Sequence, residues 1–260
     1  MNRKRGIFLL IFLVSLLFII NYKFINNAIV EFLTDYETAV VKRIIDGDTV
    51  VVENNTHVRL LGINTPEKGE KYYNEAKNFL EMIILNKTVK LEYGNEKYDK
   101  YGRTLAYIIL NNKNINSEIV EGGFGNTYIY SDDEYTTRLK QAWNECISNE
   151  KNLCEKSDDK CAKCIELEKL DVKNQEIIFN NNCSFDCDLT SWTIKDEGRK
   201  RFIFQNFILE KNKEVKIIVG NETNTNNILY WKNEGYVWTS TGDTLFLRDA
   251  DGKLVLWRAY

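Results

Sequence analysis

The chain has 260 residues, of which 43% are hydrophobic and 28% are charged, a balance that is typical of globular domains with their own cores. With a net charge of −3, neither globular half has the positive field that supports tight non-specific binding of nucleic acid, so a polyanionic ligand would need a local basic cluster and a metal ion. The chain has one histidine, His57, which disfavours two-histidine metal sites and Ser-His-Asp hydrolases within one subunit.

The N-terminus has the pattern of a secretory signal. A basic segment at residues 2–5 precedes an apolar run over residues 7–20. No small-residue cleavage site follows closely, so an uncleaved signal anchor within residues 1–35 is favoured over a cleaved signal peptide. Either interpretation places the rest of the chain outside the cytoplasm, attached to the membrane by the anchor or secreted if it is cleaved.

Hydrophobic periodicity predicts a mixed fold for residues 36–153. Alternating patterns with Gly and Asn turns between them indicate strands, and apolar residues at helical spacing indicate amphipathic helices. The last helix is predicted to begin at a capping box formed by Ser131 and Glu134. In chain order the predicted elements are strands at 37–45, 49–53 and 58–63, a helix at 70–85, strands at 88–93 and 104–110, and helices at 115–121 and 131–148. This order fits a five-stranded OB barrel with helices.

Six cysteines lie in one stretch of the chain, and residues 154–171 are predicted to be a cysteine-containing linker. In an oxidising compartment an even number of cysteines favours disulfides, although the spacing of some of them also fits zinc ligands, and free thiols are a third alternative. Cys146 falls within a helical pattern and is expected to be merely buried. The remaining disulfide or zinc candidates are Cys154, Cys161, Cys164, Cys183 and Cys187.

Residues 172–260 are predicted to form a second domain, and beyond Cys187 the pattern is all strand. The predicted strands lie at 191–194, 202–209, 215–219, 229–231, 245–248 and 254–257. Short strands at this spacing predict a small immunoglobulin-like β-sandwich. Asp251-Gly252 is a strong hairpin signal, and Asp249-x-Asp251 lacks the further ligands of a calcium loop, so it is interpreted as a turn.

Three motifs in the first half carry the chemistry. They are Asp-Gly-Asp-Thr at 46–49, Arg-Leu-Leu-Gly-Ile-Asn-Thr-Pro-Glu at 59–67 and Asp-Lys-Tyr-Gly-Arg at 99–103. They offer oxygen ligands, which suit a hard cation such as calcium, and two guanidinium groups, which suit phosphate. Each motif taken alone also has a structural interpretation: a hairpin turn at 46–48, a strand-face ion pair for Arg59, and a solvated turn residue for Arg103.

Taken together with Lys-Tyr-Tyr-Asn-Glu-Ala at 71–76 and an Arg-x-Leu-Ala-Tyr pattern at 103–107, residues from about 39 to 148 resemble the staphylococcal nuclease (thermonuclease) family. The resemblance implies an OB-fold nuclease that depends on calcium. Its implied substrates are DNA and RNA, favoured when single-stranded or unpaired, and its implied products carry 3′-phosphate ends. A non-catalytic OB module that binds nucleic acid is the alternative from a different functional class.

The same resemblance assigns roles to individual residues. Arg59 and Arg103 would hold phosphate, and Glu67 would be the general base that orients the attacking water. Stacking of bases on aromatic rings would make the site tolerant of sequence. The implied contacts are calcium with Asp48, Asn64 and Thr65, with Asp46 behind them; a substrate phosphate with Lys100 and Tyr101; and the base with Tyr128 and Tyr130.

Two departures from the family pattern bear on this site. The family has an aspartate where this chain has Asn64, so one formal charge leaves the metal site, and we expect weaker calcium binding or an altered metal preference. The loop between Glu67 and Lys71 is also shorter, so the approach of the substrate is expected to differ. Neither departure removes a catalytic group.

Residues from about 172 resemble a lamin-tail domain. The resemblance rests on Phe-Asn-Asn at 179–181, Asp-Leu-Thr-Ser-Trp-Thr-Ile at 188–194 and Gly-Asp-Thr-Leu-Phe-Leu-Arg-Asp at 242–249. This part of the sequence contains no catalytic constellation, the partner of the domain stays open, and Trp192 is expected to lie in the core. Disulfides from Cys183 or Cys187 to the linker cysteines would staple the linker to the sandwich.

Overall fold

The structure is a computed structural model that describes residues 11–13, 15–17, 21–22 and 36–260. Most of the predicted signal anchor lies outside the described residues. The parts of it that are described, residues 11–13, 15–17 and 21–22, are helical. Among the described residues, no helix combines the length and the apolar content needed to cross a membrane.

Residues 36–154, here called the barrel region, form a closed five-stranded barrel with three helices. β3 pairs antiparallel with β2 and parallel with β6, which closes the order β1-β2-β3-β6-β5 on itself. The short strand β4 pairs with β8 beside the barrel. The elements are β1 Tyr36–Ile44, β2 Thr49–Val52, β3 His57–Leu60, β4 Ile63–Asn64, α1 Tyr73–Ile84, β5 Thr88–Tyr98, β6 Thr104–Leu110, β7 Lys113–Asn114, α2 Ile115–Glu121, β8 Asn126–Thr127 and α3 Thr136–Asn149.

The predicted third strand is divided where the chain turns into the candidate site. Gly62, between β3 and β4, has a φ of +71°, a conformation that glycine adopts without strain. A Cβ at this position would lie 2.3 Å from the end of the Leu139 side chain on α3, which would have to shift. The break lets β4 leave the barrel wall and pair with β8.

The predicted capping box at the start of the last helix is wrong. Helix α3 begins at Thr136, and Asp133 caps it by accepting hydrogen bonds from the backbone N–H groups of Tyr135 and Thr136. A carboxylate on these N–H groups satisfies donors that the helix leaves unpaired. Ser131 therefore precedes the cap.

Residues 165–260, here called the sandwich region, form two four-stranded sheets. Their orders are β16-β15-β10-β9 and β13-β12-β17-β18, and a small β11-β14 pair lies beside them. Both sheets contribute to one core that includes Phe179, Trp192 and Leu247, so Trp192 is buried as predicted. The strands are β9 Ile165–Asp171, β10 Glu176–Asn181, β11 Cys187–Asp188, β12 Thr193–Lys195, β13 Arg201–Ile203, β14 Ile208–Leu209, β15 Glu214–Val219, β16 Ile228–Trp231, β17 Thr244–Arg248 and β18 Leu254–Ala259.

The six cysteines form three disulfides, which confirms the disulfide interpretation. The expectation that Cys146 is merely buried is wrong, because it is bonded to Cys154 and fastens the end of α3 to the following turn. The sulfurs of Cys161, Cys183 and Cys187 lie together because two disulfides are adjacent, and disulfide sulfurs are not thiolate ligands for zinc. These two disulfides staple the segment before β9 to the sandwich, and they join Cys161 to Cys187 and Cys164 to Cys183.

The barrel and sandwich regions belong to one compact unit, residues 38–260, and share apolar contacts. Trp143 of α3 packs edge-on against Phe246 of β17 and Trp257 of β18, with ring centroids 5.5 and 5.9 Å apart. Phe246 and Leu254 are buried within the same apolar cluster as the barrel core. The sandwich is therefore held against the barrel by buried surface, which contributes roughly 25 cal/mol per Å².

Candidate active site

Asp48 is the centre of a buried polar network at the end of the barrel. It lies just before β2, and Arg59 on β3 pairs in register with the adjacent Thr49. One Asp48 oxygen is 3.1 Å from Arg59 Nη2 and accepts hydrogen bonds from the backbone N–H and the hydroxyl of Thr65 at 2.9 and 3.0 Å. The other oxygen accepts from the Thr49 hydroxyl at 3.1 Å. Asp48 and Thr65 of the predicted calcium site thus lie in contact with one of the two predicted phosphate-binding arginines, Arg59.

Asn64 joins this network through both ends of its side chain. Its Oδ1 accepts a hydrogen bond from Arg59 Nη2 at 3.3 Å, and its Nδ2 donates to the backbone carbonyl of Gly198 at 2.7 Å. Gly198 lies in the turn between β12 and β13, so this contact crosses from the barrel to the sandwich. Asn64 is only 2% exposed, and an aspartate would present a second acceptor to the Gly198 carbonyl. The departure from the family pattern therefore has a structural reason.

Arg59 is almost fully engaged and only 7% exposed. Besides Asp48 and Asn64, its guanidinium donates to the backbone carbonyl of Leu60 at 2.6 Å. Buried charges in proteins are paired in this way because an isolated one is costly. These acceptors fix the orientation of the Arg59 guanidinium beside the oxygen atoms of Asp48 and Asn64.

Glu67 follows β4 and is the most open of the predicted catalytic groups, with a side chain 45% exposed. Its carboxylate is 2.7 Å from Nε of Arg199 in the sandwich region. Its backbone N–H donates to Glu70, whose own carboxylate meets Lys195 at 3.0 Å and Arg201 at 3.4 Å. Burial opposes ionisation of Glu70, but the charges of Lys195 and Arg201 and the hydrogen bond from Glu67 leave its pKa below the usual range.

Arg103 lies one residue before β6, which pairs with the strand that carries Arg59. Its Nε is 2.7 Å from the Asp99 carboxylate, and its guanidinium lies over the ring of Tyr101, 5.7 Å from the centroid. Slight burial opposes ionisation of Asp99, but hydrogen bonds from Arg103 and Tyr101 hold its pKa below the usual range. Lys100 lies over the same ring. The turn therefore presents two cations and an aromatic face.

Tyr128 and Tyr130 lie together beside β4. Their rings pack edge to face with centroids 4.6 Å apart, and their hydroxyls are hydrogen-bonded. The backbone N–H of Tyr128 donates to Gly62 where the chain leaves β3. Burial, and then the hydrogen bond to Tyr130, raise the pKa of Tyr128. Tyr130 is exposed, so this pair offers one open aromatic ring next to the site.

The oxygen donors fit the chemistry of a calcium site. Asp48, the Asn64 amide oxygen and the Thr65 carbonyl are hard ligands of the kind that calcium takes. Asp46 accepts a hydrogen bond from the backbone N–H of Asp48 at 3.1 Å, and burial and then the Asp48 charge raise the pKa of Asp46. A divalent cation bound here would offset the repulsion between the two neighbouring carboxylates.

Comparison with known proteins agrees with this geometry. Residues 57–156 match the family described as "Staphylococcal nuclease homologue". A thermonuclease from Staphylococcus intermedius is 35% identical over 130 residues, which cover 46% of this chain and 77% of that protein. The chain belongs to the staphylococcal nuclease family. It is also 32% identical over 127 residues to a thermonuclease from Staphylococcus hyicus, with 45% of this chain and 75% of that protein covered.

Two further matches are a third relative and a family that covers the sandwich region. An uncharacterized endonuclease from Haemophilus influenzae is 34% identical over 95 residues, which cover 35% of this chain and 52% of that protein. Residues 169–260 match the Lamin Tail Domain family, so the family order predicted from sequence is confirmed. The chain thus joins a barrel of a nuclease family to a lamin-tail sandwich.

The structure adds residues to the site that sequence reasoning missed. The turn between β12 and β13 contacts the barrel region through the Gly198 carbonyl, which accepts from Asn64, the Glu197 carbonyl, which lies 2.9 Å from Asn126 Nδ2, and Arg199, which pairs with Glu67. The available signal was the charge-rich run Lys-Asp-Glu-Gly-Arg-Lys-Arg at 195–201 between two strands. The sandwich region therefore adds Lys195, Arg199 and Arg201 to the cations of the candidate site.

Proposed function

We propose that this chain is a calcium-dependent phosphodiesterase that hydrolyses DNA and RNA, with single-stranded or unpaired regions favoured, to products with 3′-phosphate ends. The observation that carries the proposal is the buried cluster of Asp48, Arg59, Asn64 and Thr65 beside the open carboxylate of Glu67. Membership of a nuclease family supports it. The proposal uses no residue of the sandwich region.

The roles follow from what each side chain has available. Glu67 is open to solvent and would take a proton from the attacking water as its oxygen bonds to phosphorus and the bond to the 5′ oxygen breaks. Arg59, fixed by its acceptors, and Arg103, on the Asp99 turn, would stabilise the charge that grows on the phosphate oxygens. Asp48, Asn64 and Thr65 would hold calcium, which supplies electrophilic stabilisation of the phosphate.

The test is cleavage of a single-stranded oligonucleotide by the full chain, with calcium or with chelator. Glu67→Gln is expected to lower kcat about 10²- to 10⁴-fold and Arg103→Ala about 10²- to 10³-fold, since each removes a group that acts in the transition state. Arg138→Ala is the matched control, because Arg138 pairs with Glu121 and Glu145 on the barrel surface.

The outcomes separate the alternatives. Cleavage that survives the chelator and Arg103→Ala unchanged would rule out the proposed mechanism. Binding of the oligonucleotide without any 3′-phosphate product at any calcium concentration would favour a non-catalytic binding module. Direct 5′-end labelling of the products with polynucleotide kinase, without prior phosphatase treatment, distinguishes the two ends, because cleavage to a 3′-phosphate leaves a free 5′-hydroxyl and a 5′-phosphate blocks the labelling.

We also propose that the folded part of the chain acts outside the cytoplasm, attached by an N-terminal signal anchor or secreted. The three disulfides support this, because disulfides persist in oxidising compartments. Protease added to intact cells is expected to degrade the protein if it is anchored outside. Protection from the protease, together with reduced cysteines in lysates made with a thiol-blocking reagent, would contradict this location.

A further inference from the structure

The turn between β12 and β13, here called the 195–201 turn, is rich in basic residues. It lies against Glu67 and Glu70 of the barrel region. Lys195 and Arg201 meet Glu70, Arg199 meets Glu67, and Lys200 lies over the ring of Tyr236, 3.6 Å from its centroid. The chain as a whole gives no net attraction to a polyanion, since its net charge is −3. A nucleic-acid substrate would therefore depend on local cations such as those of this turn.

The turn is fixed in place. The backbone carbonyls of Glu197 and Gly198 accept hydrogen bonds from Asn126 and Asn64, whose side chains are almost fully buried. Phe246, which pairs with Lys195 at the start of the turn, is buried in the same apolar cluster as the barrel core. A turn supported in this way presents its side chains at defined positions, as a substrate-binding element must.

Arg199 differs from its neighbours in its exposure. Its side chain is 61% exposed, whereas those of Lys195 and Arg201 are 15% and 43% exposed and share one carboxylate, Glu70. An exposed ion pair such as Arg199 with Glu67 contributes little, because water screens it. A phosphate diester offers a guanidinium two oxygens in the fork geometry that it prefers, so it competes well for Arg199.

We propose that Arg199 is a substrate-binding residue that the lamin-tail sandwich supplies to the nuclease site, where it holds a backbone phosphate of single-stranded DNA or RNA beside Glu67. Arg199 would then exchange its ion pair with Glu67 for one with the phosphate. The inference rests on the proposed function, and it gives the sandwich a role in binding the substrate.

The test measures binding apart from cleavage. The full chain is titrated into a fluorescently labelled single-stranded DNA in the presence of chelator, and Kd is followed by anisotropy from about 50 to 200 mM salt. We expect Arg199→Ala to raise Kd roughly fivefold at low salt and to reduce the slope of log K against log salt by about 0.7, the loss of one phosphate contact to a single strand.

Two further variants sharpen the result. Arg199→Lys keeps the charge without the fork, so it is expected to retain the salt slope with an intermediate Kd. Lys211→Ala removes a cation of the same region, at the turn before β15 where its backbone contacts Asp186, and it is expected to bind like the wild type. Thermal unfolding of each variant checks that the fold is intact, as expected for exposed side chains.

The kinetic arm distinguishes the two proposals. With calcium, Arg199→Ala is expected to raise KM by the same factor as Kd and to leave kcat within about twofold. A wild type that cleaves, with Arg199→Ala equal to it in Kd and salt slope, would overturn the role of Arg199 alone. Tighter binding or faster cleavage by Arg199→Ala would show that the turn blocks the site and would also overturn it. A wild type that neither binds nor cleaves would overturn both proposals.

Discussion

Asn64→Asp tests whether the sandwich dictates the identity of the residue at position 64. In the structure Asn64 Nδ2 donates to the Gly198 carbonyl at 2.7 Å while Oδ1 accepts from Arg59. The variant replaces that donor with an acceptor that faces another acceptor in a buried place. It also makes two of the three candidate calcium ligands carboxylates, at positions 48 and 64.

The magnitude follows from the two hydrogen-bonding partners. Loss of one hydrogen bond costs about 1 kcal/mol, and leaving the Gly198 carbonyl buried against a carboxylate adds about 1–2 kcal/mol. The closer charge pair with Arg59 offsets part of this, so we expect the free energy of unfolding in chelator to fall by about 2 kcal/mol. If the added carboxylate tightens calcium binding about tenfold, saturating calcium returns about 1.4 kcal/mol.

Urea unfolding followed by circular dichroism, with chelator and with calcium, measures both effects. Asn126→Asp is the matched control, because Asn126 also donates to a carbonyl of the 195–201 turn, at Glu197, but is not among the candidate calcium ligands. We expect Asn126→Asp to be destabilised by a similar amount and to show no greater recovery with calcium than the wild type.

Two results would refute the reasoning. If Asn64→Asp is as stable as the wild type in chelator, the amide does not donate to Gly198 in solution. If calcium stabilises the Asn64 and Asn126 variants by equal amounts, the cation acts away from Asn64, and the assignment of the oxygen cluster to calcium is lost.

Two further predictions concern stability. Phe246→Ala is expected to lower the free energy of unfolding by about 3–4 kcal/mol in a single transition, because the ring packs on Trp143 within the barrel core; separate melting of barrel and sandwich in calorimetry would contradict a shared core. Burial, and then the charge of Asp243, raise the pKa of Asp196 to about 7 and that of Glu197 to about 8. Because the folded state binds more protons at these two groups than the unfolded state, the stability that they contribute is fully present below about pH 4 and is lost as the pH rises through about 7 and 8. Urea midpoints at pH 6 and pH 9 measure this, and Glu197→Gln is expected to flatten the difference; a midpoint that rises with pH would contradict it.

The sequence predicts most accurately the strands and helices that have both a clear hydrophobic pattern and residues that mark their ends. Residues 104–110 and 115–121 were predicted with the bounds found for β6 and α2, since a run of apolar residues and the glycines at 122–123 define them. The strand predicted at 88–93 continues to Tyr98, because its polar end pairs again with Thr104 after a bulge. Pairing with another strand decides where such a strand ends, and the hydrophobic pattern of the strand itself does not show it.

The candidate site likewise has a part that the sequence predicts and a part that it does not. The cluster of Asp48, Arg59, Asn64 and Thr65 was expected from the resemblance, and these residues do meet. The contact with Gly198 joins residues 134 positions apart, between two regions that sequence treats separately. Neither periodicity nor motif spacing carries information on how one region docks on the other.

The hydrogen bond from Asn64 to Gly198 has an evolutionary consequence. A barrel that carries a lamin-tail sandwich in this arrangement needs a donor at position 64, whereas a barrel without one is free to carry an acid there. The amide and the turn should therefore be inherited together among relatives with both regions. Loss of the sandwich from a lineage should release position 64 to become aspartate, and sequences that carry one feature without the other would mark a different docking of the two regions.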